Sequence, residues 1–119
     1  PAELFRDGAV GNRVMEGYQS LRADVELLVH TRGIETMSVT SDAPAEGKST
    51  VAANLAWALA SVGHKVTLVD CDLRSPSIDA LFGIPRAAGG VSDAIGAKEG
   101  RIADLACDTD LSGLAVVPA

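Results

Sequence analysis

At 119 residues the chain has enough length for one hydrophobic core but little for a closed parallel α/β sheet, so a partial domain is expected. Hydrophobic residues make up 47%, charged residues 22% and aromatic residues 3%, which excludes a disordered chain and requires an aliphatic core. A net charge of −6 argues against nucleic acid or an anionic membrane surface as a general partner, so any phosphate binding must be local.

Residues 1–11 are charged, glycine-containing and without periodicity, and read as a leader or linker ahead of one domain over residues 12–119. They lack the apolar run of a signal peptide. No stretch approaches the roughly 20 apolar residues of a membrane helix, so a soluble, cytoplasmic chain is expected. From Arg13 to Val29 the apolar residues Val14, Tyr18, Leu21, Val25 and Leu28 recur at spacings of three and four, which predicts an amphipathic helix with Asn12 as its cap and Gly33 as its end. Tyr18 and, further on, Trp57 read as packing residues.

Thr36–Thr40, preceded by Ile34, is short and partly β-branched and predicts a strand entering a buried sheet. The turn Ser41 to Gly47 follows, and then Ser49–Val62, rich in alanine and leucine, predicts a strong helix closed by Gly63. Lys65–Val69 predicts a second strand, parallel to the first and its neighbour in a right-handed βαβ unit. Beyond it a short helix is expected over Ile78–Phe82, a glycine-rich loop at Ala88–Gly90, a short helix from Ser92 and a last strand near Leu114–Val117.

Gly47-Lys48-Ser49-Thr50 lies where a strand passes into a helix. The first turn of a helix leaves N–H groups without internal partners and carries the positive end of the macrodipole, an arrangement suited to phosphate oxygens. Gly47 lets the backbone approach closely, Lys48 can reach the β- and γ-phosphates of ATP, Ser49 offers a hydroxyl to Mg²⁺, and Thr50 lies near the α-phosphate. Ala45 and Glu46 complete the turn that would wrap the nucleotide. The full G-x-x-x-x-G-K-[ST] pattern would need glycine at position 42, where this chain has Asp42. Asp70 and Asp72 stand at the C-terminal end of the next strand, the edge at which parallel sheets bind ligands, where carboxylates can hold Mg²⁺ or accept a proton from a hydroxyl. Cys71 and Cys107 are too few and too far apart for a zinc pattern, and His30 and His64 have no cysteine or carboxylate at ligand spacing.

These residues resemble the bacterial protein-tyrosine kinases of capsule and exopolysaccharide synthesis. The resemblance runs from about Met15 onward through Glu16–Arg22, Ser41–Thr50, Ala52–Ala56, Val69–Pro76 and Leu81–Gly83. It implies an α/β parallel-sheet P-loop NTPase fold (three-layer α/β/α), incomplete here on its C-terminal side. It also implies an ATP-dependent protein-tyrosine kinase using ATP and Mg²⁺, with a loop that dispenses with the first glycine, so that Asp42 is no departure. In such a kinase Asp70 would be a magnesium or catalytic-base carboxylate, Asp72 its companion and Arg74 a nearby cation. A membrane-anchored activator of polysaccharide export is the implied partner, placing the protein at the inner face of the membrane. Assembly into a homo-oligomer would run through the Glu16–Arg22 helix, where Gln19 stands in place of the family's middle arginine. The family's third acidic motif and its tyrosine-rich tail do not occur within these residues.

Two other readings are open. A partitioning or division-site ATPase of the same superfamily would carry lysine where this chain has Ala43. A non-catalytic nucleotide-binding or interaction module would bind ATP, or a partner through the first helix, without turnover. No G-x-G-x-x-G follows either predicted strand, which disfavours a dinucleotide-binding unit.

Overall fold

The computed structural model describes residues 11–98 and 100–119, so the expected leader lies outside the described residues except for Gly11. The described residues open with Gly11 and helix α1 (Asn12–Arg32), which starts one residue earlier than expected, with Gly11 in the cap position and no side-chain cap. It ends at Gly33, whose left-handed backbone (φ 63°) lets its N–H reach the carbonyl of Val29 at 3.0 Å. His30 falls within its last turn.

The buried stripe of α1 is rotated from the one that apolar spacing predicted. Tyr18, Arg22, Val25, Glu26 and Val29 are covered, whereas Val14, Leu21 and Leu28 are exposed. Two of these five, Arg22 and Glu26, are charged, and Glu26 bridges Arg22 on its own helix and His64 across the fold.

Helix α2 (Lys48–Ser61) is built from small residues, and Ala53, Asn54, Leu55, Ala56, Ala58 and Ala60 are all buried. Their short side chains let α2 lie close to the sheet on one side and to α1 on another. Strand β1 (Val66–Val69) follows after Gly63. Helix α3 (Ile78–Phe82) matches its predicted range, and helix α4 (Val91–Gly96) starts one residue before it. The chain finishes with β2 (Cys107–Asp108) and β3 (Leu114–Val117).

Among the described residues the three strands are ordered β1-β3-β2. β1 and β3 are parallel, with Val66 opposite Leu114 and Val69 opposite Val117, and β2 runs antiparallel to β3. β3 is therefore central, and Leu114, Val116 and Val117 are among the most buried side chains. Two apolar clusters join this sheet to the helices. Ala53, Ile78 and Val116 meet Leu68, Leu81, Phe82 and Ile84, while Ala56, Ala60 and Leu114 meet Trp57, Val66, Leu68, Phe82 and Leu111. Trp57 thus packs as expected.

The predicted first strand does not form. Residues 34–40 enter no ladder, and all but Ile34 are exposed. β1 pairs with β3 along one edge, with further bonds from Val66 N–H to Gly113 O and from Asp70 N–H to Val117 O. A strand exists only through its ladder, so β-branched composition without a paired neighbour leaves the backbone to water. The expected adjacency of residues 36–40 and β1 is corrected accordingly: β1 is joined to a parallel neighbour 48 positions later in the chain.

Candidate functional site

The N-terminus of α2 and the C-terminal end of β1 meet at one edge of the fold. Gly47 adopts a left-handed conformation (φ 82°) immediately before Lys48, and no side chain caps the helix there. A Cβ at Gly47 would meet no atom within 4 Å, so glycine is required there by the backbone turn and not by crowding. Ala45 also has positive φ (59°), a costly conformation for a residue with a Cβ. Two side chains hold the turn in that shape: Ser41 Oγ donates to Ala43 O at 2.9 Å, and Glu46 accepts from Ala43 N–H at 3.1 Å. Glu46 is thereby folded back into its own loop.

Across from this turn, Lys48 Nζ lies 3.3 Å from Asp72 Oδ2, with both side chains partly covered. Asp72 also accepts from Ser75 N–H at 3.1 Å. These contacts hold its carboxyl below the usual aspartate value, the Ser75 amide contributing most and the Lys48 ammonium next among the lowering influences. Ser49 and Thr50 are half-buried on the first turn of α2 beside Lys48, and Arg74 is exposed on the loop that carries Asp72.

Asp70 is in a different position. It is 4% exposed and accepts from three backbone amides: Asp72 N–H on Oδ1 at 3.0 Å, and Ser77 and Ile78 N–H on Oδ2 at 3.3 and 3.2 Å. It closes the loop between β1 and α3, where the last two donors are the first orphan amides of that helix. The sequence reading placed Asp70 and Asp72 side by side in the crevice; the structure brings only Asp72 to Lys48. The serines that shape the loop were not singled out, although an aspartate followed three residues later by serine is a recognisable side-chain-to-backbone turn pattern.

The donors present fit a nucleotide and a magnesium ion. Uncapped helix amides and an ammonium suit phosphate oxygens. Ser49 and Asp72 offer the oxygen ligands that Mg²⁺ takes alongside water and substrate phosphates, and among the described residues no group of three or more metal-ligating side chains forms a closed cage.

Comparison with known proteins identifies the family. The ParA family model, described as NUBPL iron-transfer P-loop NTPase, matches residues 34–102. The tyrosine-protein kinase YwqD of Bacillus subtilis is 40% identical over 74 residues, covering 62% of this chain and 31% of that protein. The tyrosine-protein kinase CpsD of Streptococcus pneumoniae is 32% identical over 105 residues, covering 86% of this chain and 44% of that protein. The crystal structure of the chimerical protein CapA2B2 superposes with a TM-score of 0.59 at 29% identity, over 79% of this chain and 50% of that one. The chain thus spans less than half the length of these two curated relatives. It belongs to the ParA family of P-loop NTPases, and the two relatives named are bacterial tyrosine-protein kinases.

Proposed function

We propose that this chain is the ATP-binding part of a bacterial protein-tyrosine kinase of capsule or exopolysaccharide synthesis, transferring the γ-phosphate of ATP to a tyrosine hydroxyl. The observation that carries this reading is the 3.3 Å approach of Lys48 to Asp72, which joins the helix N-terminus to the acidic loop after β1. The first-turn amides of α2 and Lys48 would bind the phosphates, with Ala45, Glu46 and Gly47 setting the shape of the turn. Ser49 and the acidic pair Asp70–Asp72 would hold Mg²⁺, which when bound neutralises charge on the β- and γ-phosphates. That neutralisation matters here because Asp72 stands 3.3 Å from Lys48, with Asp70 two residues before it, so the site carries negative charge of its own.

In the transfer, the tyrosine oxygen bonds to the γ-phosphorus, the bond from that phosphorus to the bridging oxygen breaks, and ADP leaves. The tyrosine proton passes to a carboxylate of the Asp70–Asp72 loop, while Arg74 on the same loop adds positive charge. Catalysis on this reading is mostly positioning and charge neutralisation.

A membrane-anchored activator and self-association through the Glu16–Arg22 part of α1 belong to the same proposal, as does a place at the inner face of the membrane. Among the described residues no helix is long and apolar enough to cross a membrane. In this chain Arg22 is bonded to Gln19 (3.1 Å) and Glu26 (2.9 Å), so an oligomer contact at Arg22 would compete with contacts inside α1.

The test is transfer of labelled phosphate from ATP to a tyrosine-containing polypeptide by the wild type and by Lys48→Ala. Labelling of tyrosine that disappears in the variant supports the kinase reading. Nucleotide binding by the wild type without any transfer would leave the non-catalytic module as the better description.

A further inference from the structure

The turn ahead of α2 places one strained residue inside a short loop that a carboxylate closes. Ala45 has φ 59°, in the left-handed region that favours glycine, although it carries a Cβ. Pro44 followed by positive φ at Ala45 is the pattern of a turn that ordinarily takes glycine in its third position. A residue stays in such a conformation only where its surroundings fix it.

Each residue around Ala45 is constrained in a different way. At Ala43 both backbone groups are held by side chains: its carbonyl accepts from Ser41 Oγ at 2.9 Å, and its N–H donates to Glu46 Oε2 at 3.1 Å. The ring of Pro44 fixes φ at the next position, and Gly47 takes its left-handed turn with no Cβ to oppose it. Ala45 is held against its preference, and the bond from Ala43 to Glu46 is the one that spans it. A free carboxylate at position 46 would repel a phosphate, whereas this one is committed to its own loop. Closing the loop in this way needs an acceptor oxygen and no charge, so a carboxamide would serve as well.

We infer that Glu46 is a positioning residue: by accepting from the Ala43 amide it keeps Ala45 left-handed, so that the loop has its phosphate-binding shape before any nucleotide arrives. The inference rests on the nucleotide-binding reading above and deepens it. Glu46 touches neither phosphate nor magnesium, and it acts on affinity only through the backbone of its own loop. A loop ordered in advance leaves less ordering to the binding step.

Titration calorimetry with Mg-ADP tests it on the wild type, Glu46→Gln, Glu46→Ala, Ala45→Gly and the variant combining Ala45→Gly with Glu46→Ala. Residues 42–47 are exposed, so all five proteins should fold, which a shared urea midpoint verifies. Glu46→Ala is expected to weaken binding about 5- to 30-fold, the ratio that a left-handed backbone costs a residue with a Cβ. Glu46→Gln keeps the acceptor oxygen and should bind within about twofold of the wild type. With glycine at position 45 the turn is no longer strained, so Glu46→Ala should there lose no more than about twofold. A loss in Glu46→Gln as large as in Glu46→Ala would show that the charge acts on the metal or the phosphates directly. Equal losses from Glu46→Ala in both backgrounds would show that it does not act through Ala45. Either result, or no loss in Glu46→Ala, would overturn the inference.

A measurement without nucleotide separates the inference from the reading it rests on. A left-handed residue brings its own amide and α protons close together, so Ala45 should give a strong nuclear Overhauser effect between them in the wild type and in Glu46→Gln. That signal should weaken in Glu46→Ala. An unchanged signal in all three proteins would overturn the inference even if nucleotide binds. Failure of the wild type to bind Mg-ADP, with the signal changing as expected, would remove the nucleotide-binding reading alone.

Discussion

Lys48 at the head of α2 and Asp72 beyond the end of β1 form an ion pair of 3.3 Å across the mouth of the site. A lysine held in this way is oriented before any phosphate arrives, but phosphate oxygens must compete with the carboxylate for it. Asp72→Asn should therefore tighten binding of ATP in the absence of magnesium by about two- to fivefold, the scale of a partly exposed pair. Calorimetry in a chelating buffer checks this. Unchanged or weaker magnesium-free binding would mean that the pair does not restrain Lys48.

A second polar contact joins α1 to the turn before β1, with His64 Nε2 2.8 Å from Glu26 Oε1. The hydrogen bond from His64 is the largest influence lowering the Glu26 carboxyl from its ordinary 4.5, with Arg22 assisting. A carboxyl depressed in the folded state stabilises the fold above its unfolded value and loses that contribution as pH falls through the folded one. The melting temperature of Glu26→Gln should accordingly lie below that of the wild type at pH 6, and the gap should close as pH drops below 4.5. Parallel melting curves across pH 3 to 6 would contradict this.

Gly90 is buried in extended backbone, where a Cβ would fall on the main-chain carbonyl oxygens of Pro118 and Ala119 at the exit of β3. Its neighbour Val91 donates to Pro118 O at 2.8 Å, so α4 cannot shift outward without losing that bond. Gly90→Ala should destabilise the fold by about 1–3 kcal/mol, the range for overpacking at a tight site, read as a lowered urea midpoint. Gly96→Ala, where a Cβ meets nothing within 4 Å, is the control and should not reproduce that loss.

What could be read from the sequence follows the reach of each interaction. Lys48, Ser49 and Thr50 were placed at a helix start because glycine, lysine and the alanine-rich run are local signals, and α2 begins at Lys48. The α3 and β3 ranges were likewise legible from short apolar runs between turn residues. Ladder partners are not written locally: β1 pairs with β3 and not with residues 36–40, and the composition of either segment would have allowed both outcomes. The face of α1 was misread for a related reason. Apolar spacing gave weight to Val14, Leu21 and Leu28, whereas Glu26 and Arg22 occupy the covered seam because His64, 38 residues away, supplies the partner that makes a charged residue acceptable there. The difference between Asp70 and Asp72 was equally hidden, since it depends on which carboxylate the loop folds around.

The central claim is that Lys48 and the first turn of α2 form a phosphate cradle, and titration of Mg-ATP into the folded wild type and into Lys48→Ala tests it most directly. The account predicts magnesium-dependent binding by the wild type and its loss in the variant, with both proteins giving the same urea midpoint because Lys48 is only partly covered. Equal binding by the two proteins, or none by the folded wild type, would contradict it.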